Sequence, residues 1–243
     1  QYEYSLHSIL LFLEKQEKLI VVAIDEFQQI TQYPEKNTEA ILRTQIQQLK
    51  NVRFIFSGSS PYMLSEMFHH AKRPFFSSAQ SLELNEISEH EYSAFIEAKF
   101  NEFGRKISPQ SIEFILYFTR RHTYYTQALC NRVFADGEKD IQLEQVHLAA
   151  YDLLKQNETT FFQYRNMLTP NQWSMLKAIA KEGKMYQPNA KHIVNKYRIG
   201  PSSVIQRSIE ALIAKEMIYS KETNEGRYYC VYDCFLARWL ARH

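Results

Sequence analysis

The sequence has only three cysteines and no long apolar run. Three thiols are too few for a disulfide framework, so we expect them to be reduced and buried in the core. The longest apolar run, Leu19 to Ile24, is six residues long, whereas a membrane-spanning helix needs about 20. Since no signal peptide opens the chain, we expect a soluble protein of the cytoplasm. The first residues, from Gln1, already have a helical pattern, and we therefore expect a piece of a longer protein.

Aromatic residues are abundant, with 16 Tyr and 16 Phe among 243 residues. This apolar content excludes an intrinsically disordered chain, and the length predicts one large domain or two smaller ones. Residues 1–164 hold 21 acidic and 16 basic side chains, a balance of −5, whereas residues 165–243 hold 6 and 13, a balance of +7. The asymmetry predicts two units, of which the second has affinity for polyanions. Chance clustering of solvated charges is the alternative.

Helix and strand patterns alternate over the first 85 residues, which predicts an α/β sheet built from parallel strands. The continuous apolar run before Asp25 is typical of a strand buried on both faces. The predicted helices cover residues 2–17, 36–49 and a short stretch from about Pro61; the predicted strands cover 18–24, 52–56 and Ser81–Leu84.

The remainder of the chain has two different patterns. Apolar residues recur at helical spacing alone between residues 86 and 164, which predicts a helical domain. After residue 165, a capping box at Thr169–Gln172 begins a helix, and two further helical segments and a hairpin around Asn224–Gly226 follow. Three helices and a hairpin predict a winged helix-turn-helix.

Two acids, Asp25 and Glu26, directly follow the first predicted strand, and Ser57 follows the next one. Ligands bind at the carboxyl edge of open parallel sheets, where these side chains would meet. Asp25 can hold Mg²⁺ through its water shell, and Glu26 can polarise a water for attack on a phosphoryl group. The Ser57 hydroxyl would position that water or touch a terminal phosphate. The alternative is that Asp25 and Glu26 are only solvated acids at the end of a strand and that Ser57 only forms a turn.

With these motifs in this order, the chain resembles the archaeal-type ATPases of the AAA+/STAND class of P-loop NTPases. The similarity spans nearly the whole chain and includes its closing segment, Tyr232–Leu240. The resemblance implies part of an α/β nucleotide-binding core at residues 1–85, an all-helical lid at 86–164 and a winged helix at 165–243.

The same resemblance implies a switch that binds ATP and Mg²⁺ between core and lid. Asp25 would lie on the metal side of a Walker B pair, with Glu26 as the catalytic base and Ser57 as the first sensor. Turnover would change the angle between core, lid and winged helix. ATP is then the expected ligand, and the chain is a candidate ATPase that can assemble into oligomers.

The sequence departs from this family in its glycines. None of its six glycines belongs to a Gly-x-x-x-x-Gly-Lys-[Ser/Thr] phosphate loop. In the family that loop lies upstream of the Walker B strand, and only 24 residues precede Asp25 here. We therefore expect the loop to lie upstream of Gln1, cut away from this piece of the protein, and these 243 residues to bind ATP poorly by themselves.

A second departure concerns arginine. Ser78 stands where the family usually carries an arginine, and Thr123 stands where its lid usually has proline. Arg73, Arg120 and Arg121 are candidates to supply the missing charge, and Arg120 and Arg121 are the predicted nucleotide contacts. Ordinary surface charge is the alternative for all three.

The predicted winged helix offers a candidate nucleic-acid interface. In helix-turn-helix folds the N-terminal residues of the second helix read base edges, and basic residues nearby contact phosphates. The candidates on that helix and on the hairpin are Ser202, Ser203, Gln206, Arg207, Lys221 and Arg227. Internal packing is the alternative role of such a domain. Two alternatives to the ATPase therefore remain. One is a non-catalytic winged-helix protein that binds double-stranded DNA or has a regulatory role, and the other is a module that binds another protein.

Overall fold

The computed structural model describes residues 5–35, 37–59, 61–82, 84–136 and 139–243. The chain divides into two compact units, Gln1–Leu84 and Asn85–His243. The first unit contains α1 (Leu6–Glu14), β1 (Ile20–Ile24), a 3₁₀ turn (Phe27–Gln32), α2 (Thr38–Ile46), β2 (Val52–Phe56) and α3 (Pro61–His69). Every helix in the described part of the chain is too short or too polar to cross a bilayer.

The second unit is mainly helical. Its first part contains α4 (Glu89–Glu102), β3 (Lys106–Ile107), α5 (Pro109–Phe118), α6 (Thr123–Ala135), β4 (Asp140–Ile141), α7 (Leu143–Gln156) and α8 (Glu158–Met167). Its second part contains α9 (Pro170–Glu182), α10 (Lys191–Tyr197), α11 (Ser202–Ala214), β5 (Ile218–Thr223), β6 (Gly226–Val231) and α12 (Cys234–Arg242). The stretch predicted as helices alone thus also contains the short parallel pair β3–β4.

The first unit is built on two parallel strands. Ile20 lies opposite Val52, and Ile24 lies opposite Phe56. Parallel neighbours need a crossover connection, which α2 provides between β1 and β2. Because both strands run in the same direction, the residues that follow them arrive at the same edge of the sheet.

An aromatic cluster forms the core of this unit. The rings of Phe27, Phe56, Phe68 and Phe75 lie 4.3–5.9 Å apart, centroid to centroid. The helices α1, α2 and α3 all contribute buried residues to the same cluster. Phe27, two residues after Asp25, therefore anchors the carboxyl edge of β1 to the core.

The prediction that β1 is buried on both faces is wrong for the described part of the unit. Val21 on β1 is 58% exposed and Ile55 on β2 is 56% exposed. The three helices pack against the opposite face, on which Ile24, Phe54 and Phe56 lie. An apolar run predicts a strand, but burial of its second face requires a covering element, and the described residues of this unit supply none.

The predicted strand at Ser81–Leu84 is also wrong for its described residues, because Ser81, Leu82 and Leu84 have no strand conformation. Leu82 is 85% exposed and Leu84 is 88% exposed. Alternating apolar residues become a strand only where a neighbouring backbone pairs with them. In the described part of the chain the sheet of the first unit consists of β1 and β2.

The second unit has one continuous hydrophobic core. Buried residues from Tyr92 on α4 to Leu240 on α12 belong to a single cluster. Phe161 on α8 packs on Trp239 of α12 with ring centroids 5.5 Å apart. The helices predicted as a lid and those predicted as a winged helix therefore share their apolar interior.

The winged helix follows the sequence-based prediction closely. Thr169 and Gln172 form the predicted capping box at the start of α9. The strands β5 and β6 pair in antiparallel fashion, with Ile218 opposite Val231. The predicted helices and hairpin of this segment are thus confirmed.

Candidate functional site

The carboxyl edge of the two-stranded sheet brings Asp25 and Ser57 together. The Ser57 hydroxyl donates a hydrogen bond of 2.7 Å to Asp25 Oδ1, and the backbone N–H of Glu26 donates to the same oxygen at 3.0 Å. These two donors, the hydroxyl first, lower the pKa of Asp25 below its ordinary value. Asp25 is therefore held as an exposed carboxylate in a fixed orientation.

The backbone keeps this pair in register beyond the ends of the strands. The Ser57 N–H donates to the Ile24 carbonyl at 3.0 Å, and the Phe27 N–H donates to the Ser57 carbonyl at 2.9 Å. Because Phe27 is also anchored in the aromatic core, the chain around Asp25 and Glu26 has little freedom to move. The sheet edge thus presents a preorganised arrangement of oxygen atoms.

Glu26 has a left-handed backbone conformation, with φ 49° and ψ 41°. This conformation costs a non-glycine residue roughly 1–2 kcal/mol, and such outliers cluster at functional sites. The Glu26 carboxylate accepts a hydrogen bond of 2.9 Å from the Ser59 hydroxyl and a second one from the Gln28 side-chain amide. The turn therefore directs the second carboxylate toward the residues that follow β2.

Sequence reasoning missed the role of Gln28. Its side chain is 3% exposed, donates to Glu26 Oε2, and has an Oε1 atom without a hydrogen-bond partner among the described residues. A Cβ added at Gly58 would lie 2.1 Å from that oxygen, so any larger residue there would displace the Gln28 side chain. In the sequence, the glycine between Ser57 and Ser59 is the one feature that could have indicated this close approach.

The donor set at this edge fits a hydrated magnesium ion. Asp25, Glu26, Ser57 and Ser59 supply carboxylate and hydroxyl oxygens, which Mg²⁺ prefers. Among the described residues, no three His, Cys, Asp or Glu side chains form a cluster that could hold a metal. Mg²⁺ usually keeps several waters and binds through one or two carboxylates together with substrate phosphates. One exposed carboxylate beside a hydroxyl matches that mode of binding.

All three cysteines are free thiols; Cys230 and Cys234 are buried, and Cys130 is partly buried. Burial raises the pKa of Cys130 to about 12 and that of Cys234 to about 11, so both are protonated at neutral pH. Metal ligation and nucleophilic attack require the thiolate. Burial therefore disfavours both reactions at these two residues.

The predicted nucleotide contacts Arg120 and Arg121 lie in the second unit. Both have left-handed backbones, with φ 54° and 55°. The Arg120 guanidinium donates to the Val231 carbonyl at 2.8 Å and contacts Cys230 Sγ at 3.0 Å. Arg121 forms an ion pair with Glu86 at 2.6 Å. Arg120 thus binds the hairpin, and a role for either residue toward nucleotide stays a prediction.

Arg73, the third candidate for a catalytic arginine, and Ser78, where the family usually has arginine, lie in the first unit. Arg73 forms an ion pair of 2.9 Å with Glu39. The Ser78 hydroxyl donates to the Phe75 carbonyl at 2.6 Å, so this residue ends a turn. A catalytic role for Arg73 stays a prediction.

The candidate nucleic-acid residues are exposed on α11 and the hairpin; they are Ser202, Ser203, Gln206, Arg207, Lys221 and Arg227. Several of them pair with one another or with neighbours. Gln206 donates to Glu210 at 2.8 Å, and Arg227 forms an ion pair of 2.7 Å with Glu222. The surface is therefore accessible, while acidic partners compete with part of its positive charge.

Comparison with known proteins supports the architecture. A family described as "Probable winged helix domain" matches residues 159–242. A Walker-type ATPase of Pyrococcus abyssi superposes with a TM-score of 0.71 at 16% identity, over 98% of this chain and 68% of that chain. The fold is similar to that of AAA+ ATPases. The predicted fold class, and the resemblance to archaeal-type ATPases, are confirmed at the level of the fold.

Two further AAA+ structures agree with this result. The ORC2 protein of Aeropyrum pernix, solved as ADPNP–ADP complexes, has a TM-score of 0.55 at 16% identity, over 97% of this chain and 67% of that one. A point mutant of RuvB from Thermotoga maritima has a TM-score of 0.50 at 16% identity, over 93% and 72%. No curated protein sequence matches the chain.

Proposed function

We propose that the sheet edge formed by Asp25, Glu26 and Ser57 serves Mg²⁺-dependent ATP hydrolysis in a STAND-type switch. The observation that carries this proposal is the 2.7 Å hydrogen bond from Ser57 to Asp25, adjacent to a second carboxylate at the carboxyl edge of parallel strands. Ligands bind at this edge in open α/β sheets. The AAA+ fold and the complexes of the ORC2 relative support nucleotide as the ligand.

Each residue of this edge has a role that follows from its contacts. Asp25, ionised and oriented by Ser57, holds the water shell of the metal ion, and Ser57 fixes that orientation. Glu26 accepts a proton from the attacking water, while Ser59 and Gln28 hold its carboxylate in place. Bound Mg²⁺ supplies positive charge that stabilises the phosphate oxygens.

The second unit would transmit the result of turnover. Its lid helices and winged helix share one hydrophobic core, and packed cores are not continuously deformable. We therefore expect these helices to respond to the nucleotide as one body, instead of changing the angle between lid and winged helix as the resemblance implied. The winged helix would then be the output surface of the switch.

The experiment uses the protein as its gene encodes it, including whatever precedes Gln1. Phosphate release from ATP should require Mg²⁺ and should be lost in Asp25→Asn, which keeps the size of the side chain but removes its charge. Lys18→Gln, which removes a charge before β1, is the matched control and should keep wild-type turnover. Equal turnover in Asp25→Asn and the control would overturn the assignment of Asp25.

DNA binding by the winged helix is the second candidate function. It is favoured by the +7 balance of residues 165–243 and by the exposure of Ser203, Gln206 and Arg207 on α11. If about four phosphates are neutralised, log K for a duplex falls with log salt at a slope of about −3.6. A flat salt response would contradict this candidate.

A further inference from the structure

A cleft with a volume of about 160 Å³ lies between the start of α9 and the middle of α11. It is lined by Thr169, Asn171, Gln172, Val204, Arg207 and Ser208. One water occupies about 30 Å³ of liquid volume, so the cleft has room for several waters or for a small anion. None of these six lining residues is acidic.

Ser208 is the first indication that the cleft receives a ligand. Its side chain is 5% exposed, it lines the cleft, and no other described residue forms a hydrogen bond with its hydroxyl. Because Ser208 lines the cleft and its hydroxyl makes no hydrogen bond within the described chain, that hydroxyl is available to a partner from outside the chain.

The charge of the cleft favours an anion. Arg207 uses its Nε atom to donate to the Ser203 carbonyl at 3.2 Å, and in the described part of the chain it forms no ion pair, so its charge stays uncompensated. The positive end of the α9 dipole lies at the same cleft. Thr169 and Gln172 form the two reciprocal hydrogen bonds of the capping box. Asn171 is the second residue of the helix, a position whose backbone N–H has no acceptor within the helix.

We infer that this cleft binds a phosphoryl group, held by Arg207, the Ser208 hydroxyl and the N-terminus of α9. The guanidinium supplies charge-assisted hydrogen bonds, and the hydroxyl donates one more. A phosphodiester of a nucleic-acid backbone and inorganic phosphate share this chemistry. The site does not depend on ATP hydrolysis, so its test is independent of the ATPase proposal.

The test titrates the 243-residue chain with inorganic phosphate against chloride at matched ionic strength. The backbone amide signals of Asn171 and Ser208 are followed by NMR. Wild type should show saturable shifts of both signals. Arg207→Gln should weaken the affinity by about tenfold or more, and Ser208→Ala by about three- to tenfold. Lys215→Gln, which removes a charge at the other end of α11, should bind as wild type does.

The Ser208→Ala variant separates binding from folding. Because the hydroxyl makes no hydrogen bond within the described chain, its removal should leave the thermal midpoint without phosphate unchanged or slightly higher. The increase of that midpoint on adding phosphate should shrink. The inference is overturned if wild type shows no saturable response beyond chloride, or if both cleft variants bind phosphate as tightly as Lys215→Gln.

A second titration with a fluorescent DNA duplex identifies the source of the phosphoryl group. If Ser208→Ala weakens duplex binding together with phosphate binding, the site holds a backbone phosphate. Arg207→Gln should then also reduce the salt slope by about 0.9. If phosphate binding weakens while duplex binding is unchanged or absent, the site takes a free phosphate group.

Discussion

Ser57 donates a 2.7 Å hydrogen bond to Asp25 across 32 positions of sequence. The bond exists because β1 and β2 are parallel and end at the same edge, with Ile24 opposite Phe56. It joins the predicted metal-side carboxylate to the predicted sensor hydroxyl. The proposed ATPase chemistry begins from this pair.

Ser57→Ala should raise the pKa of Asp25 toward its ordinary value of 3.8. The hydroxyl stabilises the ionised carboxylate, so its removal makes protonation easier. In wild type this contribution to stability is present above pH 3.8 and is lost as the pH falls through the lowered pKa. An NMR titration of the Asp25 carboxyl carbon measures the shift. Ser59→Ala, which removes a donor to Glu26 instead, should leave the pKa of Asp25 in place.

Gly58→Ala should destabilise the sheet edge by about 1–3 kcal/mol, since the new Cβ overlaps the buried Gln28 side chain. The free energy of opening at β1 and β2, measured by native-state hydrogen exchange, reports this loss. Gln28→Ala provides the space, so the double variant should lose less than the sum of the two single variants. Strict additivity would contradict the close approach of Gly58 to Gln28.

Arg120→Met should lower the free energy of unfolding of the second unit by about 1–3 kcal/mol, because it removes a donor from the buried Val231 carbonyl. Arg121→Gln breaks an exposed ion pair with Glu86 and should cost about 0–1 kcal/mol. Urea unfolding, followed by the fluorescence of Trp173 and Trp239, measures the free energy of unfolding of both variants. Equal losses would show that the Arg120 contact with the hairpin contributes little.

The 243-residue chain should bind ATP weakly by itself. Its sequence contains no phosphate-loop motif, and the backbone N–H nest and lysine of such a loop make most contacts with a triphosphate. Isothermal titration calorimetry with Mg²⁺–ATP measures the affinity. A dissociation constant in the micromolar range would contradict this expectation.

Local patterns in the sequence were sufficient to predict much of the fold. The apolar runs before Asp25 and Ser57 define two strands whose ends must meet if they are parallel neighbours. The capping box at Thr169 and the turn before Gly226 likewise mark element ends by residue type alone. These features depend on residues close together in the chain.

The features that the sequence did not predict depend on distant partners. The buried Gln28 lies against Gly58, which follows the other strand. Arg120 contacts Val231, 111 positions away, and nothing near Arg120 indicates that contact. Leu82 and Leu84 alternate as in a strand, yet they have no strand conformation, because the pattern alone supplies no backbone to pair with.

The central claim is tested most directly by Glu26→Gln in the gene-encoded protein. General-base catalysis contributes about 10²–10⁴-fold to rate, so ATP turnover should fall by about 100-fold or more, while calorimetry shows ATP binding retained. Glu17→Gln, which removes an exposed acid outside the site, should turn over as wild type does. Turnover by Glu26→Gln equal to that of Glu17→Gln, or ATP turnover that is absent from wild type, would contradict the account.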